Sequence, residues 1–495
     1  MEQDQLNEME QDRLNELMKA RRQKMVQLKE KGVEPFGSKY VCSHYSAEVI
    51  GQFDALENKE VSLAGRLTGI RTHGKATFAD LQDYKGKIQI YFRLDQLGEE
   101  KYNLIDLFDI GDFIAVKGPV FKTRKGEITV AVHDYRFLTK ALRPLPEKWH
   151  GLKDVELRYR QRYLDLIVNE EVRQTFINRS KIIQTMRDVL NEWGFLEMET
   201  PIMQTIAGGA LARPFITYHN ALDMKLYLRI ATELHLKRLL VGGLDKVYEI
   251  GRIFRNEGIS PFHNPEFTSV EIYQSYADYE DMMSITENLI YECARRVLGK
   301  SEISYQGETF DLTPPWPRET MINVVHKYCG VDFAKISDDA GAREAAREAG
   351  LELEGESTWG EILNLFFETY CEEQLCQPVF ILGYPIDVSP LSKRMDSDPR
   401  LTYRFEGFIA GKEVANAFTE LNDPIDQRER FERQLARRQA GDEEAHMMDE
   451  DFLTALEYGM PPAGGLGIGI DRVVMILTDS PSIRDVILFP TLKPR

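Results

Sequence analysis

Three stretches of the chain concentrate side chains that can grip a phosphate, a flat ring and a cation. The first is Gly251–Phe267, GRIFRNEGISPFHNPEF. Its pattern predicts a strand, a turn-rich loop over Gly258–Asn264 and a second strand. At strand period, Arg255 and Glu257 point to one face. Phe267, Glu271 and Tyr273 share a face of the following strand, with Val270 and Ile272 opposite. A guanidinium that forks onto phosphate, a loop histidine (His263) and an aromatic platform suit a nucleotide. A polar hairpin with one core Phe is the plainer reading, and the density of Arg, Asn, Glu and His weighs against it.

The second stretch is Gly464–Asp471, GGLGIGID, followed by Arg472 and a helix over Val473–Leu477. Gly465, Gly467 and Gly469 recur at period two and leave one strand face bare, against which a base can lie. Arg472 then heads the helix, where its charge can meet a phosphate. The spacing does not fit the dinucleotide fingerprint, and a tightly packed buried strand is the alternative. The third stretch is Phe405–Leu421, FEGFIAGKEVANAFTEL, with a hairpin turn at Ala410-Gly411-Lys412. Glu406 and Glu413 are expected to face each other across it, and paired carboxylates attract Mg²⁺. Asn416, Phe418 and Glu420 share a strand face, and a buried carboxylate among them demands a cationic partner.

These stretches need a scaffold, and the rest of the chain supplies its outline. With 495 residues it is too long for one ordinary core. A 43% hydrophobic, 29% charged composition is that of a folded protein. No run approaches the ~20 apolar residues of a membrane helix, and the acidic N-terminus is unlike a secretion signal. The five scattered cysteines indicate neither a disulfide framework nor a zinc site, so a cytoplasmic location is expected. The net charge of −18 excludes unselective coating of nucleic acid. It is uneven: residues 1–150 hold 24 Lys+Arg against 23 Asp+Glu, leaving −19 on the remainder.

Residues 1–35 read as a helix that turns basic from Arg21 (Arg22, Lys24, Lys29, Lys31), either as a solvated face or as a phosphate contact. Short strands follow at Val61–Ile70, Ala76–Asp80, Lys87–Phe92, Phe113–Val120 and Ile128–Asp134. Five strands in so short a span suggest a small closed barrel such as an OB-fold, with SH3-like barrels left open. After a Pro-containing linker, Ile182, Ile183, Met186, Val189 and Leu190 mark an amphipathic helix that Gly194 ends. Phe195 to Thr200 then alternate as a strand would. The expected organisation is a helical extension (1–55), a barrel (56–142), a linker (143–165) and a catalytic domain (166–495) with an acidic surface insertion at 334–360. There is no phosphate loop of the G-x-x-x-x-G-K-[ST] type and no G-x-S-x-G elbow.

In this order, the segments resemble the three signature motifs of class II aminoacyl-tRNA synthetases. The helix and strand ending at Pro201 resemble motif 1, Arg255–Phe267 motif 2 and Gly464–Arg472 motif 3. The stretches GGALARPF (208–215), ATELHLKRL (231–239), FRNEGIS (254–260), HNPEF (263–267) and NAFTELNDP (416–424) are similar to those of bacterial lysyl-tRNA synthetases. The resemblance implies a multidomain α+β protein: an OB-fold β-barrel followed by a class II synthetase antiparallel-sheet catalytic domain. It implies a homodimer acting on ATP, L-lysine and tRNA(Lys), with no membrane partner and up to three Mg²⁺ ions bound with ATP.

The resemblance also implies roles by position. Arg255 would hold the α-phosphate and the lysine carboxylate, Glu257 the adenine amino group, and Phe267 the ring. Asn264 and Gly469 would complete the ATP site, and His263 with Arg472 would grip the outer phosphates. Glu406 and Glu413 would hold Mg²⁺. Gly209 and Glu233 would take the α-ammonium, and Glu420, Tyr273 and Glu271 the ε-ammonium, with Asn416 and Phe418 closing the pocket. Arg255, His263 and Arg472 would carry the catalysis. Phe78, Gln89 and Glu127 match anticodon-reading positions. One departure is Gly407, beside the proposed metal ligand, which is expected to loosen the hairpin.

Overall fold

A computed structural model describes residues 2–146, 152, 154–353, 355–442 and 444–494. The chain divides into two units, Met1–Gly151 and Leu152–Arg495. In the first, alternating apolar and polar residues form β1 (Glu60–His73), β2 (Ala76–Gln82), β3 (Lys87–Arg93), β4 (Phe113–Lys122), β5 (Ile128–Val132) and β6 (Asp134–Thr139). They pair in the order β1-β2-β3-β5-β4-β6, and β1 also pairs with β4, which closes a five-stranded barrel. Closure presses two backbones together: a Cβ at Gly118 would lie 1.9 Å from the Ala131 carbonyl oxygen, so only glycine fits. Leu63, Ile90, Val116 and Val130 point inward and form the core.

Two sequence readings change here. The single strand expected over Ile128–Asp134 is two, because β5 pairs with both β3 and β4 whereas β6 pairs with β4 and, at Thr139, bridges Phe36. The N-terminal helix spans Glu2–Glu30 and inserts Leu28 into the barrel core. Two of its basic residues are used to dock it: Arg21 donates to the carbonyls of Ile110, Ala141 and Arg143, and Lys24 pairs with Asp109. Arg22, Lys29 and Lys31 remain exposed.

Of the expected linker, residues 147–151 and 153 lie outside the described residues. Its later part belongs to the second unit, as helices over Val155–Arg160 and Arg162–Val168. Arg162 is fully buried there, donating to the carbonyls of Arg484, Ile487 and Leu488. Residues 334–360, apart from Glu354, which is outside the described set, contain a helix over Asp339–Glu348. Its Ala342 and Ala346 are buried against a cluster that includes Phe333, Trp359 and Phe366.

The second unit holds β7 (Leu196–Glu197), β8 (Met203–Gln204), β9 (Ile216–His219), β10 (Met224–Leu228), β11 (Lys246–Phe254), β12 (Glu266–Ser275), β13 (Glu302–Tyr305) and β14 (Glu308–Asp311). Then follow β15 (Arg318–Thr320), β16 (Val379–Leu382), β17 (Arg404–Ile409), β18 (Lys412–Thr419) and β19 (Ala463–Gly469). Eight of these form one sheet in the order β15-β16-β17-β18-β19-β12-β11-β7, antiparallel except at its two outermost pairs. The strand expected over Phe195–Thr200 is reduced to the two residues of β7. One face of the sheet packs on the helices Glu170–Glu192 and Tyr279–Cys293. Val270, Ile272, Ala415, Ala417, Leu466 and Ile468 meet Ile182, Met186, Val189 and Met282 there. Each of the Val, Ile, Leu and Met side chains contributes roughly 1.5–3 kcal/mol on burial, and this face fixes which residues the other face presents. Among the described residues, no helix is long and apolar enough to cross a membrane.

Candidate active site

The uncovered face of the sheet floors an open cavity of about 520 Å³. Phe267, Glu271 and Tyr273 of β12, Asn416 and Phe418 of β18, and Gly465, Gly467 and Gly469 of β19 all line it, as strand parity requires. Arg255 and Glu257 line it for another reason. β11 ends at Phe254, so both belong to the loop, and strand parity does not place them. The loop is tied down where the Arg255 N–H donates to the Pro265 carbonyl and the Asn256 N–H to that of Arg213. Gly209, Glu233, His263, Asn264, Glu406, Glu413 and Arg472 also reach the cavity.

At one end the groups are those that handle anions. The Arg255 guanidinium lies over the Phe267 ring, 5.3 Å from its centroid. Its buried Nε has no hydrogen-bond partner, and no carboxylate of the described residues pairs with it. Burial lowers its pKa, and Glu257, Glu413 and Glu271 oppose that only at a distance. Such a cation is costly unless an anion arrives. Arg472 donates to the Glu413 carboxylate and carbonyl at 2.7 Å each and to Nε2 of His263 at 3.3 Å. The proton of that ring then resides on Nδ1, 2.9 Å from Ser260 Oγ. Burial and Arg472 hold His263 below the usual imidazole value.

The hairpin departs from expectation. Its turn is Ala410-Gly411, both at positive φ. Glu406 pairs with Asn416 and Glu413 with Phe408, so the two acids are not opposite one another. A bulge places both Val414 and Ala415 in the core, and this lets Glu413 and Asn416, three residues apart, face the same cavity. Gly407 faces the core, where a Cβ would come within 3.2 Å of the Phe380 ring, so the ring fills the space a side chain would take. Glu406 accepts from Arg404 at 2.7 Å and Tyr384 at 2.9 Å. Its burial near Glu413 pushes it up to about 7, and Glu372 behind it rises to about 8. Among the described residues no three acids or histidines converge as a metal cage. Two carboxylates beside anion-binding groups suit Mg²⁺, which takes one or two carboxylates and completes its shell with phosphates and water.

At the other end the cavity is acidic. Glu271 accepts from the Thr232 N–H at 2.9 Å and the Tyr273 hydroxyl at 3.2 Å. Burial raises both groups. Glu233 heads the helix Glu233–Val241, and Glu420 follows β18 with only 1% exposure. The cationic partner that Glu420 demands is Lys237, which pairs with Glu233 as well. Glu420 therefore lies just behind the cavity wall, beside Tyr273 and Gly465.

In the first unit, Phe78, Gln89 and Glu127 come from β2, β3 and the loop before β5, which are neighbours in the sheet. The Phe78 ring stacks on Tyr91 with centroids 4.3 Å apart, and Gln89 accepts from Thr129. Among the cavity residues, sequence reading missed Arg404, His446 and the run Val388–Ser392, as well as Lys237 behind the wall. Of these, only Lys237 carried a signal, the buried acid's need of a cation.

A family model described as tRNA synthetases class II (D, K and N) matches residues 154–493, and one described as an OB-fold nucleic acid binding domain matches 61–138. The lysine–tRNA ligase of Moorella thermoacetica is 62% identical over 473 residues, 96% of this chain and 97% of the relative. That of Carboxydothermus hydrogenoformans is 60% identical over 495 residues, the whole of both chains. That of Bacillus subtilis is 58% identical over 479 residues, 95% of this chain and 96% of the relative.

Proposed function

This chain belongs to the class II tRNA synthetases, and on that premise we propose how its cavity makes lysyl-tRNA. The enzyme is an aminoacyl-tRNA ligase that activates lysine with ATP and transfers it to tRNA. In the first step the lysine carboxylate attacks the α-phosphorus of ATP in line, and pyrophosphate leaves. In the second, the terminal ribose hydroxyl of tRNA attacks the adenylate carbonyl, and AMP leaves.

No side chain need act as a nucleophile; the work is positioning and charge stabilisation. Arg255 binds the α-phosphate and the lysine carboxylate and draws the two together. Phe267 and the bare strand at Gly467 and Gly469 hold the adenine between them, with Glu257 and Asn264 at its edge. His263 and Arg472 take the outgoing pyrophosphate. Glu406 and Glu413 would hold Mg²⁺, which supplies neutralisation of phosphate charge when bound. Gly209 and Glu233 receive the α-ammonium. Glu420, Glu271 and Tyr273 select the ε-ammonium, with Asn416 and Phe418 packing the chain between. The buried acids distinguish lysine from aspartate, whose side chain they would repel.

Phe78 offers a stacking platform for an anticodon base, and Gln89 and Glu127 offer hydrogen bonds to its edge. Exposed Leu196, Ile202, Met203, Ile216 and Leu222 favour a homodimer formed through this region. A cytoplasmic location follows from the substrates. The observation that carries the reading is Arg255, a cation lining the cavity that no carboxylate of the described residues pairs with. Amino-acid-dependent ATP–pyrophosphate exchange over all twenty amino acids tests it. Exchange with lysine alone is expected; exchange with another amino acid overturns the acidic-pocket assignment.

A further inference from the structure

Behind the acidic end of the cavity lies a cation that the reaction scheme does not use. Lys237 lies one helical turn after Glu233, with its side chain fully shielded from solvent. Its Nζ forms ion pairs with Glu233 and with Glu420. It also lies 5.4 Å from the ring centroid of Phe418 and 6.0 Å from that of Phe452. Among the described residues, no hydrogen-bond partner other than Lys237 reaches either oxygen of Glu420.

The two acids arrive from different elements, one heading a helix and the other leaving β18. In the reading above they receive opposite ends of the substrate, Glu233 the α-ammonium and Glu420 the ε-ammonium. One ammonium touching both keeps the contacted oxygens within roughly 5–6 Å of each other, two charge-assisted bonds apart. Lys237 meets Oε1 of Glu233, which lines the cavity, and Oε2 of Glu420, whose Oε1 is turned toward Gly465 at the cavity wall. The charge also balances. Glu233, Glu271 and Glu420 bring three negative charges when ionised and Lys237 one positive, leaving two for the two ammonium groups of lysine. The other groups facing this cluster are the Tyr273 hydroxyl, His446 and, acting on Glu233 at a distance, Arg404.

We propose that Lys237 is a positioning residue for both ends of the substrate: it holds Glu233 and Glu420 at a fixed span and reduces the cost of keeping them charged before lysine binds. The proposal rests on the reading of this cavity as the lysine site. A lysine of purely structural use would, when removed, weaken ATP and lysine binding together. A positioning lysine acts on lysine alone.

The test is lysine-dependent ATP–pyrophosphate exchange by the full-length Lys237→Met enzyme between pH 6 and 9. The expected result is a KM for lysine raised at least tenfold at pH 7, with the KM for ATP within twofold of wild type. That rise should shrink toward pH 9, because acids deprived of their cation bind protons that the substrate must displace. A lysine KM within twofold of wild type, or parallel rises for lysine and ATP, overturns the proposal. If Lys237→Met does not fold, Lys237→Arg carries the test, since it keeps the charge and changes the span. Its pH profile should match wild type while its preference for lysine over L-ornithine falls at least fivefold; an unchanged preference overturns the proposal. Failure of the underlying reading looks different, because wild-type enzyme would then exchange with an amino acid other than lysine.

Discussion

Replacing Arg255 by Met should separate activity from stability in sign. Methionine keeps most of the stem that packs over Phe267 and removes the guanidinium. Two charge-assisted bonds to the reacting anions are worth about 1.5–3 kcal/mol each. Their strengthening as charge develops is the kind of effect that costs 10²–10³-fold when one such donor is lost. Together the loss should be about 4–6 kcal/mol, roughly 10³–10⁴-fold in kcat/KM for adenylate formation. Stability should move the other way or not at all. In the free enzyme the guanidinium has a buried Nε without a partner and, among the described residues, no paired acid. Removing it relieves the cost of that one unsatisfied buried donor, about 1–3 kcal/mol, and forfeits a cation–π contact of about 0.5–2 kcal/mol. Pyrophosphate exchange and ligand-free thermal denaturation of the same preparation measure both. An unchanged or slightly raised Tm with collapsed exchange supports the reasoning. A Tm lowered by more than about 5 °C, or exchange within tenfold of wild type, refutes it, because Arg255 would then be a structural cation.

Three further outcomes are expected. A Cβ at Gly465 would lie 1.8 Å from Glu420 Oε1 and 2.6 Å from the Tyr273 ring, whereas at Gly467 its nearest neighbour is 3.8 Å away. Gly465→Ala should therefore lower both Tm and lysine activation, while Gly467→Ala should leave Tm unchanged and raise the KM for ATP; equal effects on Tm would contradict this. Burial and Lys237 push His446 down to about 4 from 6.5, so the unfolded chain takes up a proton that the folded one resists. Stability from this group is intact above about pH 6.5 and falls as pH drops toward 4, by about 2 kcal/mol at pH 5. In urea unfolding, His446→Met should lose about 2 kcal/mol less than wild type between pH 7 and 5, and equal losses would exclude His446 as the cause. Phe78→Ala should lower kcat/KM for tRNA charging by roughly 5–150-fold, the worth of one stacked base at about 1–3 kcal/mol. It should leave pyrophosphate exchange unchanged; a matching fall in exchange would mean that the barrel acts on the first step.

Much of the cavity floor was legible because a strand offers its side chains only two directions. Once Val270 and Ile272 are assigned to the core, Phe267, Glu271 and Tyr273 have one face left. The same logic groups Asn416 with Phe418 and bares the glycine strand at Gly467 and Gly469, whereas at Gly465 the face is filled by Glu420 and Tyr273. The barrel strands were legible from their turn residues, except where β5 and β6 meet without a Gly or Pro.

What stayed hidden depends on register and on distant partners, neither of which is written locally. The bulge at Gly407/Phe408 opposite Val414 is one case. Strict alternation cannot put Glu413 and Asn416 on the same face, and nothing in the heptapeptide Gly411–Ala417 announces the extra residue. The bulge exists because Val414 and Ala415 are both drawn into the core, a demand set by helices far away in the chain. Lys237 is the other case. That Glu420 required a cation followed from the energetics of buried charge, but the choice among 62 Lys and Arg residues did not. Only the sheet brings the end of β18 beside a helix that begins almost two hundred residues earlier. The same is true of Arg404, whose guanidinium links Asn416 of β18 to Glu406 of β17. Sequence reading thus recovered many of the groups that line the cavity, while the cations that hold those groups in place emerged only with the tertiary structure.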